Sequence, residues 1–123
     1  MNLKQCSLFA PIVLRLAIAA VFVWFGVSQL VNSDAWVGLV PVWATGFGIN
    51  AFFVVHFNGV FEILMGLFLS LGIFTRWVAL ILAAHLFVIT THLGLSAVGV
   101  RDFGLSFATL SIAMHGDDEW TLI

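Results

Sequence analysis

Apolar residues run along this chain in four blocks, at residues 11–30, 52–71, 76–93 and 100–114, with polar or glycine-containing breaks between them. Crossing the bilayer core takes about 20 apolar residues as a helix. The first two blocks meet that length, the third nearly does, and the fourth is short for a full crossing. Within the blocks the charged, amide and imidazole side chains are few: Arg15 and Gln29 in the first, His56, Asn58 and Glu62 in the second, Arg76, His85 and His92 in the third, and Arg101 and Asp102 in the fourth. The pattern predicts an all-α membrane protein, four spans in an up-down-up-down bundle, forming one domain over residues 1–123. No internal repeat of 20–50 residues is visible. The break at residues 31–51 carries Asn32, Asp34, Pro41 and three glycines, with Trp36 and Trp43 flanking the proline. Its apolar and aromatic content predicts a segment lying in the membrane interface, with a short helix capped by Ser33 or Asp34. Gly72 and Thr75 mark a tight turn between the second and third spans, and residues 94–99 make a short loop. The tail HGDDEWTLI reads as solvated.

Composition changes the picture by removing alternatives. The chain is 63% hydrophobic and 8% charged, with a mean hydropathy of +1.19. A soluble domain carries about 25% charged residues, so the bilayer is the solvent for this surface. Net charge −2 with four Lys and Arg lacks the basic footprint of a nucleic-acid binder. Thirteen Phe and five Trp without a single Tyr suit a lipid-facing surface, with Trp as interfacial anchors. The single Cys6 has no intrachain partner and belongs to no metal-ligand spacing, so no metal site is predicted. Pro11 suits a first helical turn. Arg15 inside the first block, with no small-x-small site after it, argues for an uncleaved span and against a leader peptide. Lys4, Arg15 and Arg76 fall on one side of the membrane, and residues 31–51 hold no Lys or Arg. The positive-inside rule then places both termini in the cytoplasm, with Arg101 the one dissenter.

This topology gives each polar residue a depth. At 1.5 Å per residue, Glu62 and His85 both fall near the bilayer midplane. Arg15 lies about one and a half turns below the centre, and His56, His92, Gln29, Arg101 and Asp102 lie near the outer interface. Asn58, Glu62 and Gly66 share a helix face, and small residues beside Glu62 admit a close neighbour. His85 and His92, seven apart, share another. The expectation is a polar seam of Arg15, Asn58, Glu62, His85, His56, His92, Arg101 and Asp102, either structural or ligand-binding. Within it Glu62 has Arg15 or His85 as a candidate ion-pair partner, and pairing with Arg15 is the expectation against a protonated, ligand-serving carboxyl. An intramembrane carboxylate is a functional-site candidate in its own right. Helix-packing roles remain open for the histidines, an interfacial cap for Arg101 and Asp102, and no residue is marked as catalytic.

The stretches LRLAIAAVFVWFGVSQL, FEILMGLFLSLGIFTRWVALILA and RDFGLSFATLSIAM resemble the DoxX/DoxD family of small four-span bacterial and archaeal membrane proteins. The matching marks are Arg15, Phe25-Gly26 with Gln29-Leu30, Glu62 and Gly66 before Gly72-x-x-Thr75-Arg76, and Arg101-Asp102 with Gly104. The resemblance implies a bundle in the cytoplasmic (inner) membrane that works beside a redox enzyme, with a protein partner or a second copy. DoxD-type proteins form part of a thiosulfate:quinone oxidoreductase. The expectation is an accessory subunit whose polar seam binds a small ligand such as a quinone headgroup or anchors a partner; the alternatives are a catalytic-complex subunit of that oxidoreductase and a tetrapyrrole-binding or transport protein using the intramembrane histidines. The sequence departs from the family in carrying Gln29 where lysine is usual. It also lacks the paired cysteines of related thiol-redox proteins, which argues against dithiol chemistry.

Overall fold

In the computed structural model the described residues are all but Met1, Pro41, Phe47 and Ile123, together with the side chains of Ala44, His92 and Leu93 left aside. Among them the chain forms α1 (Leu3–Val31), the single-turn α2 (Asp34–Val37), a 3₁₀ turn at Val42–Thr45, α3 (Ala51–Leu71), α4 (Thr75–Leu93) and α5 (Ala97–His115). The four long helices alternate in direction. α1 packs tightly along α3 and α4 along α5, while α1–α5 and α3–α4 touch more sparsely and close the ring. Glycines bring α1 and α3 together. A Cβ on Gly26 would stand 2.6 Å from the Gly59 carbonyl oxygen, and one on Gly59 would stand 2.9 Å from the Gly26 carbonyl oxygen. In hydrocarbon, where burying apolar surface gives no drive between helices, such close backbone packing is what holds two of them.

Two helix starts and one cap differ from the sequence reading, each for a local reason. α1 starts at Leu3, eight residues before Pro11, because Asn2 and Gln5 close a capping box: Gln5 N–H donates to Asn2 Oδ1 at 2.9 Å and Asn2 N–H to Gln5 Oε1 at 3.0 Å. α5 starts at Ala97, since Ser96 Oγ accepts from Gly99 N–H at 3.0 Å. Its 19 residues make about 28 Å, which removes the expected shortfall in the fourth span. Ser33 sits at the head of α2 without capping it; its hydroxyl donates to the Gln29 carbonyl instead, at 2.7 Å. The α3–α4 turn comes where expected. Gly72 at φ 74° ends α3, with Ile73 N–H donating to Phe68 O, a Schellman ending.

Most of the tail is exposed as expected (His115, Asp117, Glu119, Trp120 and Leu122), while Gly116 is buried and Asp118 and Thr121 are partly so. The tail folds back under the bundle, where Leu122 N–H donates to Gly72 O at 3.2 Å and Trp120 meets Phe9 edge-on at 6.0 Å. The end holding the α3–α4 turn and this tail is here called the tail end, and the opposite one the loop end. The apolar core lies toward the tail end: Ile18, Ala19 and Phe22 of α1, Leu69 of α3, Val78, Ala79, Leu82 and Leu86 of α4, and Ile112 and Ala113 of α5.

The glycine crossing is directly testable. Gly26→Ala is expected to destabilise the detergent-solubilised protein by about 1–3 kcal/mol through overpacking against backbone that cannot yield. Gly104→Ala, with nothing within 4 Å of the new methyl, is expected to leave stability unchanged or raise it by up to about 1 kcal/mol. Thermal melts of the two variants check the contrast.

Candidate functional site

Glu62 sits eleven residues into α3, about 16 Å from its start, and is 3% exposed. Each of its oxygens accepts one amide hydrogen bond. Gln29 Nε2 donates to Oε2 at 3.0 Å, and Asn58 Nδ2 to Oε1 at 3.0 Å. Asn58 Nδ2 also donates to Gln29 Oε1 at 2.8 Å, and Gln29 Nε2 to the Phe25 carbonyl at 3.2 Å. His85 of α4 completes the group, with Nε2 3.6 Å from Glu62 Oε1. That separation suits an ion pair but not a hydrogen bond. Among the described residues His85 Nε2 is buried with no hydrogen-bond partner, an atom whose need a ligand or a small shift toward Glu62 would meet. The imidazole leans on Phe61, centroids 5.0 Å apart.

Sequence position explains how these side chains meet. On α1 the buried face runs through Ile12, Arg15, Ile18, Ala19, Phe22, Gly26 and Gln29, in steps of three and four that keep one side of a helix. Gln29 therefore follows Gly26 onto the α3 contact. The sequence reading placed Gln29 near the outer interface, yet it bonds both Asn58 and Glu62 and so ties this α3 pair to α1. Its signal was the three-residue step from Gly26.

Above this cluster, toward the loop end, lies a cavity of about 170 Å³. Gln29, Asn58, Glu62 and His85 line its polar side. Val54, Leu86, Val88 and Ile89 supply apolar wall, and Trp36 and Trp43 cover it from the interhelical segment. Trp36 is fixed there by its indole N–H, which donates to Ser28 Oγ at 3.0 Å. On α5, Asp102 is 5% exposed and accepts from Arg101 Nε at 3.1 Å. The Arg101 guanidinium lies over the Phe25 ring at 5.1 Å. Arg101 and Asp102 thus line the cavity as well. His56 is exposed and lies outside it. Its Nε2 is 3.2 Å from Ser33 Oγ, and its Nδ1 2.7 Å from the Phe52 carbonyl. The side chain of His92 lies outside the described residues. No group of three His, Cys, Asp or Glu among the described residues is placed to hold a metal ion, and Cys6 is exposed and free.

Arg15 does not pair with Glu62. Its Nη1 donates to the carbonyls of Leu69 and Ser70 at 2.8 and 2.6 Å. These lie seven and eight residues beyond Glu62, or about 10–12 Å along the helix axis. The last carbonyls of α3 lack helical partners and carry the negative end of its dipole, so they hold a guanidinium well. The charge is balanced by Asp118 of the tail, which accepts from Nε at 2.8 Å and Nη2 at 3.3 Å. Both side chains are almost fully buried. No periodicity in the tail places Asp118, which is why the pattern of apolar residues missed it.

A bundle of four apolar helices, with a buried carboxylate at mid-height and a cavity above it, defines a multi-pass membrane protein. A family model described as DoxX matches residues 10–95, and the chain belongs to the DoxX family. The match takes in α3, α4 and most of α1, and stops short of α5 with Arg101 and Asp102. No curated protein and no solved structure matches the chain.

Asp118 makes the tail clamp sensitive to acid. Burial acts to raise its pKa, but the Arg15 hydrogen bond, the Trp120 backbone N–H and the charges of Arg15 and His115 outweigh it and hold the pKa below the usual 3.8. A carboxylate with a lowered folded-state pKa stabilises fully above its unfolded value, and that stabilisation disappears as pH falls through the folded one. The melting temperature should therefore drop as the pH is taken below about 4, the ordinary aspartate value. Asp118→Asn should lower stability at neutral pH by about 3 kcal/mol, since it strands a buried guanidinium, and should flatten the acid-side drop. Melts from pH 3 to 7 in detergent measure both effects.

Proposed function

We propose that this protein is a non-catalytic membrane subunit whose loop-end cavity binds the headgroup of a small ring compound, a quinone, beside a redox enzyme of the cytoplasmic membrane, with both termini in the cytoplasm. The observation that carries the reading is the cavity itself. Its volume, about 170 Å³, is close to the roughly 150 Å³ that accepts one benzene in an engineered protein cavity. Apolar walls with a few convergent polar groups are the usual make-up of a small-ligand site. The hydrogen-bond inventory suits a carbonyl-bearing ring. The amide donors of Gln29 and Asn58 are spent within the cluster, which leaves His85 Nε2 unpartnered on the α4 side and the Arg101 Nη groups near the mouth. Those two are donors to ring carbonyls once the imidazole carries its proton on Nε2. The orientation rests on the absence of Lys and Arg from residues 31–51. The reading includes a redox partner, since none of the described side chains lining the cavity is itself an electron carrier. A tetrapyrrole is too large for a one-ring cavity, and the absorption spectrum of the purified protein should show no Soret band.

Titration of the protein in nanodiscs with 2,3-dimethoxy-5-methyl-1,4-benzoquinone, followed by quenching of tryptophan fluorescence, tests the reading, because Trp36 and Trp43 line the cavity. Saturable quenching is expected. His85→Leu should weaken it about tenfold or more, the size of one lost hydrogen bond in a buried site. Non-saturable quenching, identical in wild type and His85→Leu, would contradict the proposal.

A further inference from the structure

We propose that the tail end carries a lipid site, in which the start of α4 and Arg76 hold the phosphate of a phosphatidylethanolamine headgroup and Asp117 holds its ammonium. The site is separate from the loop-end cavity and does not depend on the ring-binding reading. A second cavity, of about 360 Å³, lies where the α3–α4 turn meets the end of α5. It is lined by Phe74, Thr75, Arg76, Trp77, Gly116 and Asp117. Val78 N–H is the first of α4 to meet a carbonyl, Phe74 O at 3.0 Å, and no side chain caps this end. The N–H groups of Thr75, Arg76 and Trp77 are thus left without helical partners. They stand at the positive end of the dipole of a 19-residue helix, where anions are favoured.

Thr75 gives an independent sign of a ligand. It is 0% exposed, and among the described residues its Oγ1 is buried with no hydrogen-bond partner. A buried hydroxyl in that state lacks a donor or acceptor, and the cavity that Thr75 lines is where one would stand. Arg76 is already oriented. Its Nε donates to the Ala113 carbonyl at 3.1 Å, and its Nη2 lies against Gly116, where a Cβ would come within 2.7 Å. That anchoring leaves the Nη pair for two oxygens of a phosphate, the geometry a guanidinium favours. The surroundings point to a lipid as the source of the phosphate. The 19 residues of α4 make about 28 Å, close to the roughly 30 Å hydrocarbon layer, which puts its first turn at headgroup level. Phe74 and Trp77, 60% and 65% exposed, flank the cavity as interfacial aromatics do. Asp117, exposed at the same cavity, repels a bare phosphate or an anionic headgroup and suits one that brings its own ammonium.

The test uses the full chain, delipidated in a maltoside detergent, with lipid adducts counted by native mass spectrometry and lipid concentrations expressed per detergent. The probes are dihexanoyl phosphatidylethanolamine, dihexanoyl phosphatidylglycerol and the phosphate-free dihexanoylglycerol, with inorganic phosphate added as a competitor. The ethanolamine lipid should bind at least about tenfold tighter than dihexanoylglycerol, the size of one charge-assisted hydrogen bond. It should bind about fivefold tighter than the glycerol lipid, the size of an exposed ion pair, and Asp117→Asn should make those two equal. Thr75→Val, which keeps the side chain's volume, should weaken the ethanolamine lipid about tenfold. It should leave the lipid-free melting temperature unchanged or higher, because the hydroxyl it removes has no partner in the protein. Equal binding of the ethanolamine lipid and dihexanoylglycerol, wild-type affinity in Thr75→Val, or a lowered lipid-free melting temperature in that variant would overturn the site. Displacement of the lipid by an equal concentration of inorganic phosphate would overturn the lipid as its occupant, and an ethanolamine preference that survives Asp117→Asn would overturn the role given to Asp117.

Discussion

Hydrocarbon offers no hydrogen bonds, so every polar group that this bundle carries below its surface must find a partner within the protein. Glu62 is where that constraint presses hardest, being a carboxylate at mid-height on a 21-residue apolar helix. It is answered by two amides, one from its own helix and one from α1. The α1 amide reaches it because Gly26 and Gly59 let the two backbones close up. Helix pairing and polar satisfaction are therefore one arrangement: the glycines permit the hydrogen bond, and the hydrogen bond fixes which faces meet.

The arginines obey the same constraint at the tail end. Arg15 closes the C-terminus of α3, and Arg76 Nε donates to the Ala113 carbonyl near the end of α5 at 3.1 Å. Neither helix carries an arginine or lysine in its own last turn, so cations from α1 and α4 serve the two dipoles. This ties the four helices together at the end where the core lies. At the loop end Arg101 and the buried Asp102 are paired on α5 at 3.1 Å, and there the cavity lies between the helices.

Much of this was legible in the sequence, and for definite reasons. Run length alone places four spans, because a membrane helix must be apolar for its whole crossing. Depth and helical phase bring Asn58, Glu62 and His85 together, since both follow from fixed helix geometry. Arg15 shows where such reasoning stops. Depth suggested Glu62 as its partner, but a guanidinium is drawn as strongly by unpaired helix carbonyls, and the carboxylate that balances it comes from a tail with no periodic pattern. Pro11 misled about the start of α1, because a capping box further upstream outweighs the one hydrogen bond that proline forfeits. The roof formed by Trp36 and Trp43 was seen as an interfacial segment, but nothing in its sequence showed that it covers a cavity.

The central claim is that Glu62 is held by the α1 amide rather than by a buried cation. A double-mutant cycle between Gln29→Leu and Glu62→Leu, read as thermal stability in one detergent, measures it most directly. Residues sharing a buried hydrogen bond couple by about 0.5–3 kcal/mol, and those that do not meet are additive within about 0.5 kcal/mol. The account predicts coupling of at least about 1 kcal/mol for this pair and additivity for Arg15→Leu with Glu62→Leu. Additivity at Gln29 together with coupling at Arg15 would contradict it.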